Sequence, residues 1–328
     1  MEEGLLADAG LDVRRASCRT SAEVAEAGAD ADALIVQWAP VDAAALAAMP
    51  RLRFISRLGI GYDMIDVEAA AARGVAVANT PDYCIEEVVA HALALVLACT
   101  RGVVAADRQV RAGAWAVSEL APPVRRPSQV TLGVLGLGRI GSLVAEGARA
   151  LGFRVIGHDP AHPARSVPLD ELLAGSDVLT LHLPLTPGTR HLIDAAALAR
   201  LRPGAIVVNT GRGPVVDEAA LAAALRSGRL GGAALDVYER EPLPLDSPLR
   251  ELPGVILSPH AAWYSPQALT DLPRLATQQV IEFLAGNAVP NLVNAAALAA
   301  HAPPDPGASA PEPRPSGGNE WTSCSHTR

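Results

Sequence analysis

Short apolar runs alternate with helix-type segments through the second half of the chain. Such runs, apolar at nearly every position, begin near residues 130, 154, 177, 205, 232 and 255. Strands of this kind are buried on both faces and are typical of a parallel sheet covered by helices. The pattern therefore predicts an α/β domain with a six-stranded, doubly wound parallel sheet.

The first 80 residues repeat this alternation on a smaller scale. Strand-like runs at 33–37, 54–56 and 75–78 are separated by Ala-rich segments, which Asp42 and Asp66 open as helix N-caps. This part of the chain is predicted to form a second, smaller doubly wound domain with a flavodoxin-like strand order.

The opening helix, predicted at residues 2–9 before Gly10, has no strand in front of it. A flavodoxin-like order places the first strand in the middle of the sheet, so the loss of that strand would be strongly destabilising. We therefore expect the natural start codon to lie upstream of Met1.

Two long helices are predicted where the two patterns meet. One spans residues 84–113 and connects the first unit to the second, and the other spans 266–286 and returns the chain to the first unit. The cleft between the two units is the expected functional site. The predicted domains are residues 1–99 with 264–294, residues 100–263, and a Pro- and Ala-rich disordered tail at 295–328.

The composition excludes several chemistries. All 27 basic residues among the 328 are arginines. A chain without lysine cannot form a Schiff base, anchor pyridoxal phosphate or supply a Walker A lysine. The net charge of -8 argues against nucleic-acid binding. The four cysteines have no paired or zinc-type spacing, so no metal site is expected.

The N-terminal residues lack the basic and apolar regions of a signal peptide. The longest apolar run, at 88–99, contains His91 and is too short to cross a bilayer core of about 30 Å. We therefore expect no membrane association, a cytoplasmic protein, and thiols in the reduced state.

A glycine motif follows the first strand of the larger domain. Gly136, Gly138 and Gly141 have GxGxxG spacing, and Asp159 follows Gly141 after 18 residues, at the end of the next strand. The glycines allow close approach to a pyrophosphate at a helix N-terminus, and the carboxylate is placed for the adenosine ribose diol. Because this carboxylate repels a 2'-phosphate, the cofactor is predicted to be NAD rather than NADP.

Three further strands of the same domain end in polar side chains that could carry chemistry. Arg212 lies in NTGRGPVVD, Glu241 in ALDVYEREP and His260 in SPHAAWYS. Ligands collect at this edge of a doubly wound sheet. Taken singly, each residue is also explained as a surface ion pair, a loop charge or a turn residue.

These segments, together with NTPDYCIEE and SRLGIGYD, resemble the D-isomer-specific 2-hydroxyacid dehydrogenase family from near residue 10 to near residue 294. The closest resemblance is to the branch that contains the C-terminal binding proteins. It implies that His260 donates a proton, that Glu241 stabilises the imidazolium, and that Arg212 polarises the substrate carbonyl and holds the carboxylate.

The same resemblance assigns supporting roles. Asp236 would meet the nicotinamide amide. Further cofactor contacts are implied at Arg139, Ile140, Leu183, Pro184, Thr189, Thr210 and Gly211. Substrate contacts are implied at Arg57, Gly59, Ile60 and Trp263. Trp38 and Tyr83 have two interpretations, facing the cleft or packing, of which packing is preferred, and His91, His182 and His191 are interpreted as structural.

The sequence thus predicts an NAD-dependent enzyme, a homodimer, that interconverts a small 2-oxo acid and its D-2-hydroxy acid. One alternative is an NADH-sensing scaffold similar to the C-terminal binding proteins, with incidental activity. Another is a dehydrogenase of formate or phosphite, which Arg57 and Trp263 disfavour because they suit a larger organic acid.

Overall fold

A computed structural model describes residues 2–116 and 124–301. Its first sheet contains three parallel strands in the order β1-β2-β3. β2 is central and buried along its length, whereas β1 is only half-buried at three of its four positions. The bounds are β1 (Ala33–Val36), β2 (Phe54–Arg57) and β3 (Ala76–Ala78).

Four short helices precede or connect these strands. The carboxylates of Asp42 and Asp66 accept backbone N–H groups of Ala45 and Ala69, both at 2.9 Å, which confirms the two predicted N-caps. No strand precedes β1 within residues 2–32. The helices are α1 (Glu2–Asp8), α2 (Ser21–Ala27), α3 (Ala43–Ala48) and α4 (Val67–Ala72).

The second sheet has six parallel strands, as predicted, in the order β5-β4-β6-β7-β8-β9. The chain reverses its direction of winding between β4 and β6, and in such folds a ligand crevice opens at that point. The bounds are β4 (Thr131–Leu135), β5 (Arg154–His158), β6 (Val178–Leu181), β7 (Ala205–Asn209), β8 (Leu230–Leu235) and β9 (Val255–Leu257).

Aliphatic side chains fill both sides of this sheet. Along β7, Ile206 and Val208 pack towards one layer of helices, and Val207 packs towards the other. This alternation explains why the strand is apolar at every position. The helices that follow β4 to β7 are α7 (Arg139–Ala150), α8 (Leu169–Gly175), α9 (Ala195–Arg200) and α10 (Glu218–Arg226).

The prediction of a single helix at 84–113 is wrong. The segment forms α5 (Ile85–Arg101) and α6 (Val103–Arg111), bent by 60° at Gly102, whose φ of 62° is left-handed. Glycine adopts this conformation without the steric cost of a Cβ, so α5 ends there. No single described helix is long and apolar enough to cross a membrane, and α5 and α6 pass such a test only as a bent pair.

α11 (Pro266–Leu284) returns the chain to the first sheet, as predicted. The hydroxyl of Ser56 in β2 donates to the carbonyl of Ala276 in α11 at 2.9 Å. The disordered tail expected from residue 295 begins instead with α12 (Ala295–His301), which packs on α4. Residues 302–328 of that predicted tail lie outside the described part of the chain.

The two sheets agree with the prediction of two α/β units. α5 connects the units, and different parts of it pack in different places. It runs across the predicted boundary at residue 99, and Leu95 and Val96, which precede that boundary, pack in the core of the six-stranded sheet. Its N-terminal end faces the cleft, where Cys84 and Val88 contact Ala262 and Ala268. The domain boundaries themselves remain a prediction.

Candidate active site

The carboxyl ends of both sheets face a shared cleft with a cavity of about 380 Å³. Loops that follow β1 and β2 line one side, and loops that follow β4, β6, β7 and β9 line the other. Side chains from distant parts of the sequence meet here because parallel strands place their carboxyl ends at one edge.

His260 follows β9 in a backbone conformation that non-glycine residues seldom adopt, with φ at 53°. Its N–H donates to the carbonyl of Asp236 at 2.8 Å. The fully buried carboxylate of Asp236 accepts the next two N–H groups, of Ala261 and Ala262, each at 2.9 Å. These bonds hold the loop, so the imidazole is placed before any ligand binds.

His260 and Glu241 form a hydrogen-bonded pair. Nδ1 of the imidazole lies 2.7 Å from Oε2 of Glu241, and the other carboxylate oxygen accepts the N–H of Tyr238 at 3.0 Å. The carboxylate holds Nδ1 and so fixes the orientation of the ring. Nε2 is then the nitrogen left for a substrate oxygen.

Arg212 follows β7 and reaches across the cleft. Its Nε donates to Oδ1 of Asp63 at 2.8 Å, and Nη1 donates to the carbonyl of Gly211 at 2.9 Å. A Cβ at Gly61 would lie 1.5 Å from Nη2, so only glycine leaves room for the guanidinium here. Asp63 and Gly61, which the sequence reasoning missed, lie four and two residues after the predicted Gly59.

Arg57, at the end of β2, is only 4 % exposed. Burial, and secondarily the charge of Arg212, lower the pKa of its guanidinium to about 10, so it stays charged at neutral pH. Its Nε is a buried donor without a partner in the described structure. A Cβ at Gly59, where φ is 135°, would lie 1.4 Å from Nη1. These features suit a guanidinium that awaits an anion.

Aromatic rings also line the cleft. The indole of Trp38 meets the His260 ring edge-on, with centroids 5.1 Å apart, and the Tyr83 and Trp263 rings are 6.1 Å apart. Of the two interpretations of Trp38 and Tyr83, the structure supports the position facing the cleft over the preferred packing role, since both line the cavity. Their positions in the sequence, after β1 and after β3, could have indicated that they face the cleft.

Two neighbouring groups are neutral at physiological pH. Burial raises the pKa of the Tyr83 hydroxyl well above its usual range and raises that of the Cys84 thiol to about 11. Neither is a nucleophile under these conditions, because a thiolate or phenolate is absent near neutral pH. The wall they form is uncharged.

The glycine motif forms a tight turn into α7. Gly136 has φ of 94°, and a Cβ there would lie 2.6 Å from the carbonyl oxygen of His182. A Cβ at Gly141 would lie 1.9 Å from the carbonyl oxygen of Gly136. At Gly138 a Cβ would meet nothing within 4 Å, so the backbone at the start of α7 is open to a ligand.

Other groups on this side fit a dinucleotide. Asp159 accepts the N–H of Leu137 within the glycine turn at 2.8 Å, which fixes its carboxylate beside that turn. The hydroxyl of Thr210 is buried and has no partner in the described structure. The cavity is also lined by five residues for which the resemblance implies cofactor contacts, namely Arg139, Ile140, Leu183, Pro184 and Gly211.

Five of the predicted cofactor residues do not line the cavity, namely Gly136, Gly141, Asp159, Thr189 and Asp236. Thr189 uses its hydroxyl within its own turn, 2.7 Å from the carbonyl of Pro184 and 2.8 Å from the N–H of Thr186. Asp236 uses its carboxylate to hold the His260 loop. Their contacts with a cofactor remain predictions.

The three histidines interpreted as structural lie at different places. His91 contacts the hydroxyl of Ser258 at 3.2 Å, and His191 pairs with Glu239 at 2.9 Å. His182 lines the cavity, and burial lowers its pKa to about 4. No group of three or more His, Cys, Asp or Glu residues suited to a metal ion is found in the described ranges.

A dinucleotide cradle, a carboxylate-stabilised imidazole and two guanidiniums at one cleft define a cofactor-dependent oxidoreductase. The family model for the NAD-binding domain of D-isomer specific 2-hydroxyacid dehydrogenases matches residues 93–262. The chain belongs to this family, which confirms the predicted family, fold class and enzyme class.

Curated relatives agree with this assignment. The chain is 42 % identical over 277 residues to a glyoxylate reductase of Korarchaeum cryptofilum, covering 81 % of this chain and 83 % of the relative. It is 44 % identical over 274 residues to D-3-phosphoglycerate dehydrogenase of Mycobacterium tuberculosis, covering 81 % of this chain. It spans only 51 % of that longer relative.

Solved structures are also similar. A glyoxylate reductase from Paecilomyes thermophila aligns with a TM-score of 0.80 at 30 % identity, covering 89 % of this chain and 94 % of that chain. D-lactate dehydrogenase from Aquifex aeolicus, complexed with NAD and lactic acid, aligns with a TM-score of 0.76 at 29 % identity, covering 87 % and 92 %. The closer resemblance to the C-terminal binding proteins stays a prediction.

Proposed function

We propose that the protein reduces a small 2-oxo acid to its D-2-hydroxy acid with NADH, and catalyses the reverse oxidation with NAD. The observation that carries this proposal is the meeting of Arg212 and the His260–Glu241 pair at the cavity that the glycine turn also borders. Each of these groups has a role in carbonyl reduction. Arg212 can polarise the carbonyl, the His260–Glu241 pair can supply the proton, and the glycine turn can hold the cofactor.

The reaction needs a polarised carbonyl, a hydride and a proton. A bound reduced nicotinamide supplies the hydride to the carbonyl carbon. Arg212 stabilises negative charge on the carbonyl oxygen and binds the carboxylate, for which its planar fork is suited. His260 donates the proton from Nε2 to that oxygen, while Glu241 stabilises the imidazolium before the transfer. In the oxidation His260 accepts the proton instead.

NAD is favoured over NADP at this site. Asp159 carries its charge beside the glycine turn, where it would repel a 2'-phosphate. Within the family both cofactors occur among structural neighbours, since an imino acid reductase is described in complex with NADPH and the lactate dehydrogenase with NAD. In this chain the preference for NAD is inferred from the Asp159 carboxylate.

Two further expectations belong to the proposal. A homodimer is supported by α6, which has no buried residue and exposes Val103 and Val110, followed by the exposed Trp115. Apolar side chains grouped in this way are typical of a protein interface. A cytoplasmic location follows from the sequence expectation of reduced cysteines and remains part of the proposal.

The experiment tests a panel of 2-oxo acids with NADH and with NADPH. Turnover is measured as the loss of absorbance of the reduced cofactor. We expect turnover of at least one 2-oxo acid with NADH, and weaker turnover with NADPH. NADH binding without turnover of any acid in the panel would contradict the proposal and favour the NADH-sensing scaffold.

A further inference from the structure

The charged groups of the cleft leave one positive charge uncompensated. Arg139 pairs with Asp82 and Arg212 pairs with Asp63. Arg57 has no carboxylate within ion-pair distance in the described structure, and donates only to the carbonyl of Leu58. A buried guanidinium without a counter-ion favours binding of one anionic group. The site therefore matches a substrate with a single carboxylate.

An indole lies between the two groups that would hold the reacting end of that substrate. The guanidinium carbon of Arg57 lies 5.4 Å from the centroid of the Trp38 ring, and the Trp38 ring contacts His260. In a 2-oxo acid bound by Arg57 and Arg212 and protonated by His260, the third substituent at the carbonyl carbon is the side chain. That side chain is the part still free to meet Trp38.

Trp38 is suited to such contact. It is 52 % exposed, so a ligand side chain can cover it, and its cation–π contact with Arg57 fixes the ring. The rest of this wall is apolar or aromatic and neutral, with Tyr83, Trp263 and Ile60 also lining the cavity. An apolar group gains from burial against these surfaces, whereas a charged one loses its hydration.

We propose that Trp38 determines substrate specificity, and that the substrate is a 2-oxo monocarboxylic acid with a bulky apolar side chain that packs on its indole. This inference rests on the proposed function and specifies the substrate class of the same site. Glyoxylate has no side chain and leaves the indole uncovered. A second carboxylate or a phosphate on the side chain would lie against this wall, where Tyr83, Trp263 and Ile60 among the described lining residues offer no cation.

The test compares three 2-oxo acids, namely glyoxylate, phenylpyruvate and oxaloacetate, with the wild-type protein, Trp38→Ala and Trp38→Phe. We expect the wild type to prefer phenylpyruvate in kcat/KM. We expect Trp38→Ala to lower kcat/KM for phenylpyruvate by about 10- to 100-fold, mostly through KM, and to change that for glyoxylate by less than about 3-fold. Trp38→Phe should retain most of the preference, since it keeps a ring.

Leu245→Ala is the matched control, because Leu245 is an exposed apolar side chain outside the cavity lining. It should leave the preference unchanged. Equal losses for glyoxylate and phenylpyruvate in Trp38→Ala, or a wild-type preference for oxaloacetate or glyoxylate, would overturn the inference and leave the proposed function standing. A wild type inactive with every 2-oxo acid would overturn both.

Discussion

The guanidinium of Arg212 donates from Nε to Oδ1 of Asp63 at 2.8 Å, across the cleft between the two sheets. Asp63 lies in the loop after β2, and Arg212 lies in the loop after β7. Because Nη1 donates to the carbonyl of Gly211, two anchors fix the plane of the fork and leave Nη2 for a ligand. Asp63 is thus a positioning residue for Arg212.

We expect Asp63→Asn to lower kcat/KM for reduction of a 2-oxo acid by roughly 10-fold and Asp63→Ala by roughly 100-fold, since misplaced catalytic groups cost about this much. The amide keeps an acceptor for Nε, so partial rescue by Asn separates positioning from simple loss of structure. The affinity for NADH, measured by fluorescence titration, should stay unchanged.

Asp170→Asn provides a matched control, because Asp170 forms an exposed ion pair with Arg200, away from the cleft. Exposed pairs of this kind contribute little. Activity of Asp63→Ala equal to that of the control would show that Arg212 needs no anchor.

Cofactor preference should change at Asp159. Asp159→Asn retains an acceptor for the N–H of Leu137 and removes the charge that faces a 2'-phosphate. We expect the NADH-to-NADPH ratio of kcat/KM to fall by about 10-fold or more, with the 2-oxo acid held constant. An unchanged ratio in a folded variant would show that Asp159 does not determine the preference for NAD.

The stability of the protein should depend on pH through His182. Burial lowers the pKa of this imidazole to about 4, below the value near 6.5 of an unfolded chain. Between these values the unfolded state binds more protons, so the free energy of unfolding falls as pH drops from about 6.5 to about 4. The contribution of this one group is at most roughly 3 kcal/mol.

Chemical denaturation at pH values of about 7 and about 4.5 measures this fall. His182→Gln should reduce it, whereas His162→Gln, at an exposed position, should show the wild-type dependence. The same fall in both variants would mean that His182 accepts a proton in the folded state as readily as in the unfolded one.

Local patterns predicted most of the fold. Both N-caps depend on contacts within three residues, at Asp42 and Asp66, and β4, β6 and β7 of the larger sheet are buried at every position. The break at Gly102 was missed because α5 and α6 both have helix-forming residues around it. α12 was missed because its packing on α4 is a long-range contact that composition does not report.

The sequence predicted those parts of the site whose residues lie together in one short motif. The glycine turn and the residues Arg212, Glu241 and His260 each follow a strand at the same sheet edge. Asp63 was not assigned, and Trp38 was assigned to packing in preference to the cleft, because their contacts with Arg212 and His260 join residues 149 and 222 positions apart in the chain. Such pairs are set by how the two sheets face each other.

The central claim is that the His260 imidazole donates the proton in carbonyl reduction. The most direct measurement is steady-state NADH consumption with the preferred 2-oxo acid, for the wild type and His260→Ala, together with NADH binding by each. We predict a fall in kcat of about 100-fold or more, with NADH affinity within about 3-fold of wild type. Turnover near the wild-type rate in His260→Ala would contradict the account.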